Sequence, residues 1–467
     1  MTASLPISRP WLPATRLGLA AFADVRRRAI FECCKWDPQV EDECSVADFA
    51  LLLSAPAWRE LTVLAERLAV ETLAAERELA EKPWLHERLG LPRAVRRSLR
   101  GWEGDRGYDA RGDVRDGSAP RGGMARLIRF DFHLTPGGWM ISEANTDVPG
   151  GLNEASGFSR LMAPHYAGAT PVGDPAGAYA DAIAEALVRQ SGGARGGAMV
   201  ALAHATAYTD DRQVMTYLAA ALESRGVRAH LVSPAHLRWR DGRARLECAW
   251  ADGAPDAIVR FFPGEWLPNL PRACSWTHFF CGSETPLSNP ATALLTQSKR
   301  FPLVWDELST PLPTWRALLP ETRDPRDCDW QNGGRNGDAW VVKPALGRVG
   351  EDVGIPGVTD AKEWRKLVRA VKRRPGEWVA QRRFHALPLD VEGSEAYPCV
   401  GVYTVDGRAA GAYGRLGRRA LINWKARDVA ILQIPDRAAQ PRSLLQFPHP
   451  VLPGGHPHVP HPGLQPC

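Results

Sequence analysis

The stretch RLIRFDFHLTPGGWMISEANTDVPGGLNEASG, residues 126–157, carries the strongest signal for the fold of this chain. Polar and apolar side chains alternate before the Thr-Pro-Gly-Gly turn, as they do in a strand with two different faces. The apolar face consists of Ile128, Phe130 and Phe132, and the polar face consists of Arg129, Asp131 and His133. The pattern therefore predicts a β-hairpin that turns at residues 135–138.

The polar face of this hairpin also carries oxygen donors. Glu143 and Asn145 are two residues apart on the second strand, so both point the same way and can converge with Asp131 across the ladder. Mg²⁺ takes carboxylate and amide oxygens and completes its shell with water and phosphate, and a neighbouring Arg129 suits a phosphoryl group. The alternative is the solvated polar face of an ordinary amphipathic hairpin. We favour the functional interpretation because Arg-x-Asp is followed by Glu-x-Asn.

A second motif contains Lys343. This lysine follows the apolar residues 340–342 in a predicted strand, and Pro344 ends the ladder just after it. A lysine in such a strand is costly unless its ammonium meets an anion, which a nucleotide phosphate supplies. The segment GRVGEDVG, residues 347–354, comes next, and its backbone amides can close over phosphates. Neither the Walker A pattern nor the Rossmann glycine pattern occurs in the chain.

These two segments resemble the glutathionylspermidine synthetase family, whose synthetase part is an ATP-grasp ligase. The resemblance rests on Arg-Phe-Asp-Phe, on Ser-Glu-x-Asn-x-Asp with a small-residue turn ending in Asn-Glu-Ala, and on the strand, lysine, proline and glycine loop around Lys343. It extends over roughly residues 30–432. The resemblance implies that Asp131, Glu143 and Asn145 are magnesium ligands and that Arg129 holds the reacting phosphoryl or carboxylate group.

The resemblance also implies nucleotide and substrate contacts further along the chain. The implied nucleotide contacts are Lys299, Lys343, Gly347, Gly350 and Gln381, with Gln381 at the hinge where the adenine edge meets the backbone. The implied substrate contacts are Glu265, Asn423 and Arg427. A surface lysine is the alternative for Lys299, and a plain surface turn is the alternative for Glu265. Asn423 and Arg427 represent only part of the family's C-terminal pattern, so polyamine and glutathione specificity stays open.

The resemblance implies an α/β ATP-grasp fold in permuted order, with the magnesium residues before the lysines. Residues 1–123 are predicted to form a helical N-terminal region and a loop, because Leu61, Leu64 and Leu68 recur at helical spacing after Ser54 and Pro56. Residues 124–284 are predicted to be a pre-ATP-grasp-like α/β domain that carries the hairpin, and residues 285–435 the nucleotide-binding part. Residues 436–467, rich in proline, glycine and histidine, are predicted to be a disordered tail. No cysteine-histidine amidase half is expected.

The overall composition limits the classes of partner. The chain has 467 residues, of which 44% are apolar and 24% charged, as is ordinary for an enzyme of two or three domains. The net charge of +5 is small and the arginines are scattered, so no nucleic-acid partner is expected. No membrane span or signal peptide is recognisable, so a cytoplasmic location is expected. Nine cysteines without paired spacing indicate reduced thiols, and Cys274, His278 and Cys281 lack a further ligand for zinc.

These features together predict an ATP-dependent carboxylate-amine ligase that uses ATP and Mg²⁺. A substrate carboxylate would attack the γ-phosphoryl to give an acyl phosphate, and an amine would then displace phosphate, leaving an amide and ADP. By resemblance, the carboxylate is glutathione-like and the amine is polyamine-like. Two alternatives stay open: a kinase that stops at the phosphorylated substrate, and a non-catalytic relative that binds nucleotide or peptide.

Overall fold

A computed structural model of the chain describes residues 10–37, 39–40, 43–100, 124–192, 197–331, 339–347 and 352–435. The predicted tail at 436–467 and the predicted loop at 101–123 lie outside the described residues, and so does Gly350. Within the described ranges, no helix is both long enough and apolar enough to cross a lipid bilayer.

Helices and strands are mixed throughout the described part of the chain. Its α-helices are α1 (Leu19–Glu32), α2 (Ala55–Glu81), α3 (Arg93–Leu99), α4 (Ser159–Met162), α5 (Pro175–Gln190), α6 (Thr209–Glu223), α7 (Leu294–Gln297), α8 (Pro313–Leu318) and α9 (Ala361–Arg373). Its strands are β1 (Trp11–Pro13), β2 (Gln39–Val40), β3 (Glu43–Cys44), β4 (Val46–Ser54), β5 (Leu127–Thr135), β6 (Gly138–Asn145), β7 (Thr170–Pro171), β8 (Met199–His204), β9 (Arg228–Val232), β10 (Leu237–Arg240), β11 (Arg243–Cys248), β12 (Ala251–Gly253), β13 (Ala257–Phe261), β14 (Leu287–Ser288), β15 (Thr322–Arg323), β16 (Trp340–Pro344), β17 (Trp378–Arg382), β18 (Leu389–Val391), β19 (Ser394–Val405), β20 (Arg408–Gly417) and β21 (Arg427–Ile434). A π-helical turn (Glu154–Phe158) and short 3-10 helices connect some of them.

The largest sheet has nine strands and joins segments that are far apart in the chain. Seven strands lie side by side in the order β1-β4-β21-β20-β19-β5-β6, while β18 pairs with β19 and β7 pairs with β21. The predicted hairpin is present as β5 and β6, which pair antiparallel from Arg129 opposite Asn145 to Thr135 opposite Gly138. Strands from three of the four predicted domains thus share one sheet, and the domain boundaries stay a prediction.

Both faces of β5, the first strand of the hairpin, are buried. Phe130 and Phe132 belong to the main hydrophobic core, as the alternation predicts. On the opposite face, Arg129, Asp131 and His133 are each only 8% exposed. The alternative interpretation of this face as a solvated polar surface is therefore wrong for β5, because all three of its polar side chains are withdrawn from bulk water.

The N-terminal region is only partly helical. The start signal is correct, since Ser54 caps α2 by accepting a hydrogen bond from the amide of Ala57, and Leu61 and Leu68 are fully buried. However, residues 46–54 form β4, which lies between β1 and β21 in the main sheet. Its sequence VADFALLLS is a short apolar run, and periodicity alone does not distinguish a buried strand from a buried helix in such a run.

A parallel sheet forms the second layer. Its order is β14-β13-β8-β9, and all three pairings are parallel. Asp174 caps α5 by accepting from the amide of Gly177. Two hairpins elsewhere in the chain turn at Asp-Gly pairs: Asp241 and Gly242 join β10 to β11, and Asp406 and Gly407 join β19 to β20, with φ positive at all four residues.

The predicted nucleotide lysine lies in a small antiparallel sheet of order β15-β17-β16. Lys343 is on the middle of β16, and Gln381 is on the neighbouring strand β17. Helix α9 covers this sheet, because Leu367 and Val371 pack with Val342 and Ala380 in a separate small core. The strand that contains Lys343 is where the sequence predicts it.

Candidate functional site

A cavity of about 780 Å³ collects most of the residues predicted to act. The predicted residues that line it are Arg129, Asp131, Glu143, Asn145, Glu265, Lys299, Lys343, Gly347 and Gln381. They come from the hairpin, from the small sheet that contains β16 and β17, and from the connecting segments. The structure therefore brings together residues that are up to about 250 positions apart in the sequence.

Arg129 and Asp131 form a bidentate ion pair on β5. Arg129 Nε donates to Asp131 Oδ1 at 2.7 Å and Nη2 donates to Oδ2 at 3.0 Å, while Nη1 donates to the carbonyl oxygen of Gly150 at 2.7 Å. Asn145 Nδ2 donates to Asp131 Oδ2 at 3.2 Å. Burial disfavours the charged guanidinium, but Asp131 outweighs it and raises the pKa of Arg129 well above its usual value. The guanidinium is thus permanently charged and fixed in direction.

Glu143 lies between two lysines. Lys299 Nζ is 3.0 Å from Glu143 Oε2 and also donates to the carbonyl oxygen of Gly347 at 3.3 Å. Burial disfavours the Glu143 carboxylate, but Lys299 and Lys343 outweigh that effect and lower its pKa to about 2. The Lys299 side chain is only 9% exposed, lines the cavity and is ion-paired, so the alternative of a free surface lysine is wrong.

Lys343 is held by neutral oxygens. Its ammonium donates to the carbonyl oxygen of Ser142 at 3.1 Å and to Gln381 Oε1 at 2.7 Å. Burial lowers the pKa of Lys343 to about 8, and the attraction of Glu143 only partly compensates. Gln381 Nε2 in turn donates to Thr322 Oγ1 at 3.1 Å. In this structure Gln381 orients the lysine, and its contact with an adenine edge stays a prediction.

The low pKa of Lys343 predicts how ATP binding depends on pH. A triphosphate favours the charged lysine, so binding should raise this pKa, and above pH 8 the protein must take up a proton when ATP binds. We expect the affinity for ATP to fall by up to about tenfold per pH unit above pH 8. Titration calorimetry in two buffers of different ionisation enthalpy at pH 8.5 measures the proton uptake directly. No uptake at that pH would contradict a phosphate contact by this lysine.

The donor set at the hairpin fits Mg²⁺. Among the described residues, no three His, Cys, Asp or Glu side chains are placed so that they alone could hold a metal ion. Asp131, Glu143 and Asn145 instead offer two carboxylates and an amide oxygen, and Mg²⁺ commonly takes one or two carboxylates and fills its shell with water and substrate phosphates. Each carboxylate keeps lone pairs beyond those used by Arg129 and Lys299. The site therefore suits a metal that arrives together with phosphate.

Another part of the cavity lining is acidic, which the sequence did not reveal. We call Asp37, Glu154, Asp210 and Asp428 the acidic end, and Lys35 lies among them. Lys35 Nζ is 3.1 Å from Asp37 Oδ1, 2.8 Å from Glu154 Oε1 and 2.9 Å from Asp428 Oδ2. Burial raises the pKa of Glu154 despite Lys35, and burial together with Asp37 raises the pKa of Asp210. Three carboxylates contact this one ammonium, and Asp210 is a fourth acidic residue of the same lining, so the cluster has capacity for a further cation.

Two predicted substrate residues lie away from the cavity surface. Asn423 uses Oδ1 to accept from the amide of Lys425, while its neighbours Ile422 and Trp424 line the cavity. Arg427 begins β21 opposite Leu416 and does not line the cavity, and burial lowers its pKa. The structure therefore does not bring these two side chains to the other predicted residues, because their backbone positions direct them elsewhere.

His133 is a cavity residue to which the sequence assigned no role. Its Nε2 and the Ser142 hydroxyl are 3.1 Å apart, and its ring lies 5.3 Å from that of Phe384. Burial and the nearby Lys343 lower the pKa of His133 to about 4, so it is neutral near pH 7. The alternation along β5 places His133 on the same face as Asp131, and this pattern could have identified His133 as a cavity residue from the sequence.

Comparison with known proteins adds the family. A family described as glutathionylspermidine synthase pre-ATP-grasp matches residues 119–430. No curated protein matches the sequence. An apo glutathione synthetase-like effector from Globodera pallida has a similar structure, with a TM-score of 0.60, 12% identity, and coverage of 89% of this chain and 97% of that chain. At this identity the likeness concerns the fold alone.

A weaker likeness links the chain to a protein from Methylobacillus flagellatus KT that is provisionally assigned as a gamma-glutamylcysteine synthetase. The TM-score is 0.41 and the identity 14%, over 77% of this chain and 86% of that chain. The family match is the decisive finding, since residues 119–430 include the hairpin, both lysines and Gln381 and make up well over half of the 467 residues. This confirms the family predicted from the sequence: the chain belongs to the glutathionylspermidine synthase pre-ATP-grasp family.

Proposed function

We propose that this chain is an ATP-dependent ligase that joins a carboxylate to an amine through an acyl phosphate. The observation that carries the proposal is the arrangement of charges in one cavity, where Arg129, Lys299 and Lys343 surround Asp131 and Glu143. Membership of a synthetase family supports a ligase in particular. Fixed cations beside metal-binding oxygens are the equipment that phosphoryl transfer needs, because its catalysis depends on positioning and charge stabilisation.

Charge pairing in the free protein supports this proposal. Asp131 pairs with Arg129 and Glu143 pairs with Lys299, while Lys343 is held by uncharged oxygens. Magnesium-bound ATP brings negative phosphates for the lysines and a dication for the carboxylates. Binding would therefore exchange one set of ion pairs for another and leave no buried charge without a counter-charge, which would otherwise be strongly destabilising.

Each group then has a defined role in the proposed reaction. Lys299 and Lys343 would hold the phosphates of ATP. Asp131, Glu143 and Asn145 would hold magnesium, which when bound neutralises phosphate charge. Arg129 would bind the substrate carboxylate or the transferring phosphoryl group, because two hydrogen bonds to Asp131 and one to Gly150 keep its guanidinium fixed.

The bond changes balance without any further reactant. A carboxylate oxygen of the substrate forms a bond to the γ-phosphorus, the bond from that phosphorus to the β–γ bridging oxygen breaks, and ADP leaves. The amine nitrogen then bonds to the acyl carbon, the carbon–oxygen bond to phosphate breaks, and inorganic phosphate leaves. The amine arrives as an ammonium, so it must lose one proton before its nitrogen can attack and a second proton as the amide forms. Glu154, whose pKa is raised by burial, is suited to accept the first, and the departing phosphate can take the second.

The acidic end favours a ligase over a kinase. An amine substrate is cationic before it reacts, and Asp37, Glu154, Asp210 and Asp428 exceed the single charge of Lys35. Glu154 Oε2 is buried and has no hydrogen-bond partner in the described part of the chain, so Lys35 engages only one oxygen of this carboxylate. A ligase needs a site for its cationic second substrate, whereas a kinase needs such a site only if its one substrate is itself cationic. On family membership, a peptide carboxylate such as glutathione and a polyamine are the first substrates to test.

We expect ATP to yield ADP and inorganic phosphate, and not AMP, because the cationic groups cluster where the β and γ phosphates would lie. Turnover should require both a carboxylate and an amine, and the product should be an amide of their summed mass less one water. Separation of nucleotides and mass spectrometry of the products measure both expectations. A reaction without amine serves as the control.

Two results would contradict the ligase assignment. AMP with pyrophosphate would indicate an adenylating enzyme. Full ADP release without any amine, with a phosphorylated substrate and no amide, would indicate a kinase. The substrates should be tested at pH 7. Because the pKa of Lys343 is about 8, this lysine is then mostly protonated, and a weak signal would not result from its loss of charge.

A further inference from the structure

Tyr413 on β20 contacts both halves of the cavity. Its ring centroid is 5.3 Å from Cζ of Arg129. Its hydroxyl donates to Asp428 Oδ1 at 2.5 Å, and the other oxygen of Asp428 lies 2.9 Å from the ammonium of Lys35. A continuous series of contacts thus links Arg129 to the acidic end.

A second aromatic ring also approaches the same guanidinium. The ring centroid of Tyr403 is 5.9 Å from Cζ of Arg129, and the Tyr403 hydroxyl donates to the carbonyl oxygen of Gly150, which also accepts from Arg129. Buried cations are attracted to aromatic faces more strongly than exposed ones. The direction of Arg129 is therefore determined by Asp131, by Gly150 and by two rings together.

Two glycines provide the space for this arrangement. Gly401 pairs with Tyr413 on one side and with Asp131 on the other. A Cβ atom at Gly401 would lie 2.7 Å from Cδ of Arg129 and 2.9 Å from Asp131 Oδ1. At Gly151, where φ is +88°, a Cβ would lie 2.9 Å from the ring of Tyr413. Any side chain at either position would displace the arginine or the ring, so the backbone is shaped around this pair.

We propose that Tyr413 is a positioning residue with two contacts. Its ring orients the guanidinium of Arg129, and its hydroxyl orients the carboxylate of Asp428 in the acidic end. The proposal rests on the proposed function, in which Arg129 contacts the carboxylate or phosphoryl group and the acidic end binds the amine. It follows that the ring and the hydroxyl act on different kinetic constants. Loss of the ring frees Arg129 and lowers kcat, whereas loss of the hydroxyl alone disturbs Asp428 and raises KM for the amine.

Two variants separate these effects. Tyr413→Phe keeps the ring, so kcat should stay within about threefold of wild type while KM for the amine rises on the order of tenfold and KM for ATP is unchanged. Tyr413→Leu removes the ring, so kcat should fall on the order of tenfold or more. Tyr166→Phe is the matched control, since its hydroxyl donates to the carbonyl oxygen of Thr15 outside the cavity lining. A wild-type KM for the amine in Tyr413→Phe, or a wild-type kcat in Tyr413→Leu, would overturn the proposal.

A readout that needs no amide product separates this inference from the proposed function. An α-dicarbonyl reagent modifies accessible guanidinium groups, and peptide mass spectrometry then gives the modification rate of Arg129 alone. We expect Arg129 to react faster in Tyr413→Leu than in wild type or Tyr413→Phe, provided that all three melt cooperatively; Tyr413→Met replaces the leucine variant if that variant does not fold. Equal rates in all of them would overturn the positioning role. If the modification rates of Arg129 are as expected but no amine gives an amide product, only the proposed function is refuted.

Discussion

Lys343→Met is expected to weaken ATP binding by about a hundredfold or more while the chain stays folded. The ammonium of Lys343 is buried against the carbonyl oxygen of Ser142 and against Gln381 Oε1, and burial already lowers its pKa to about 8. Methionine has a similar length and no charge, so it removes the attraction for phosphate without leaving a cavity. Titration calorimetry at pH 7 measures the affinity, and thermal melting measures the stability.

The control for this experiment is Lys366→Met on α9, where the side chain is exposed and lies outside the cavity. This variant loses the same charge, so it should keep the wild-type affinity for ATP unless net charge alone drives binding. A folded Lys343→Met protein with wild-type affinity would contradict the assignment of Lys343 to a phosphate. The loss of the proton uptake above pH 8 in the same variant would identify Lys343 as the titrating group.

The hairpin and the nucleotide lysine could be predicted from the sequence because their signals are local. The alternation in residues 127–135 fixes which side chains share a face, and the Thr-Pro-Gly-Gly turn fixes the partner strand. Lys343 was also correctly placed on a buried strand. For the hairpin a period of two residues and a turn carry the information, and for Lys343 a run of apolar neighbours followed by Pro344 does, so no knowledge of distant segments is required.

The acidic end could not be predicted because it depends on tertiary contacts alone. Lys35 and Asp428 are almost four hundred residues apart, and they meet because β21 lies in the main sheet next to β4. No spacing in the sequence records that pairing. The strand β4 was missed for a related reason, since its apolar run acquires its strand conformation from two neighbours at opposite ends of the chain, β1 and β21.

Glu143→Gln is expected to reduce turnover by about a hundredfold or more and to weaken the apparent affinity for Mg²⁺, whereas binding of metal-free ATP should not weaken. Glutamine keeps the size of the side chain and one oxygen but removes the charge that attracts a dication. Glu143 Oε2 also lies 3.0 Å from the ammonium of Lys299, and its negative charge favours the protonated form of Lys343. In Glu143→Gln this carboxylate no longer competes with the phosphates of metal-free ATP for the two lysines.

Glu143 could act as a magnesium ligand or only as a counter-ion for Lys299. The affinity for Mg²⁺ and the affinity for metal-free ATP, measured separately in Glu143→Gln, distinguish these two roles. A metal ligand predicts a magnesium titration shifted to higher concentration, measured by ADP release at fixed ATP. The assay is run at about pH 6, because loss of Glu143 removes an attraction that raises the pKa of Lys343 and a lower pH keeps this lysine protonated in the variant. A counter-ion for Lys299 predicts an unchanged magnesium titration with tighter binding of metal-free ATP. Glu223→Gln, an exposed change on α6, controls for the loss of one negative charge. An unchanged titration in Glu143→Gln would remove Glu143 from the magnesium site and leave Asp131 as its one carboxylate among the residues proposed here.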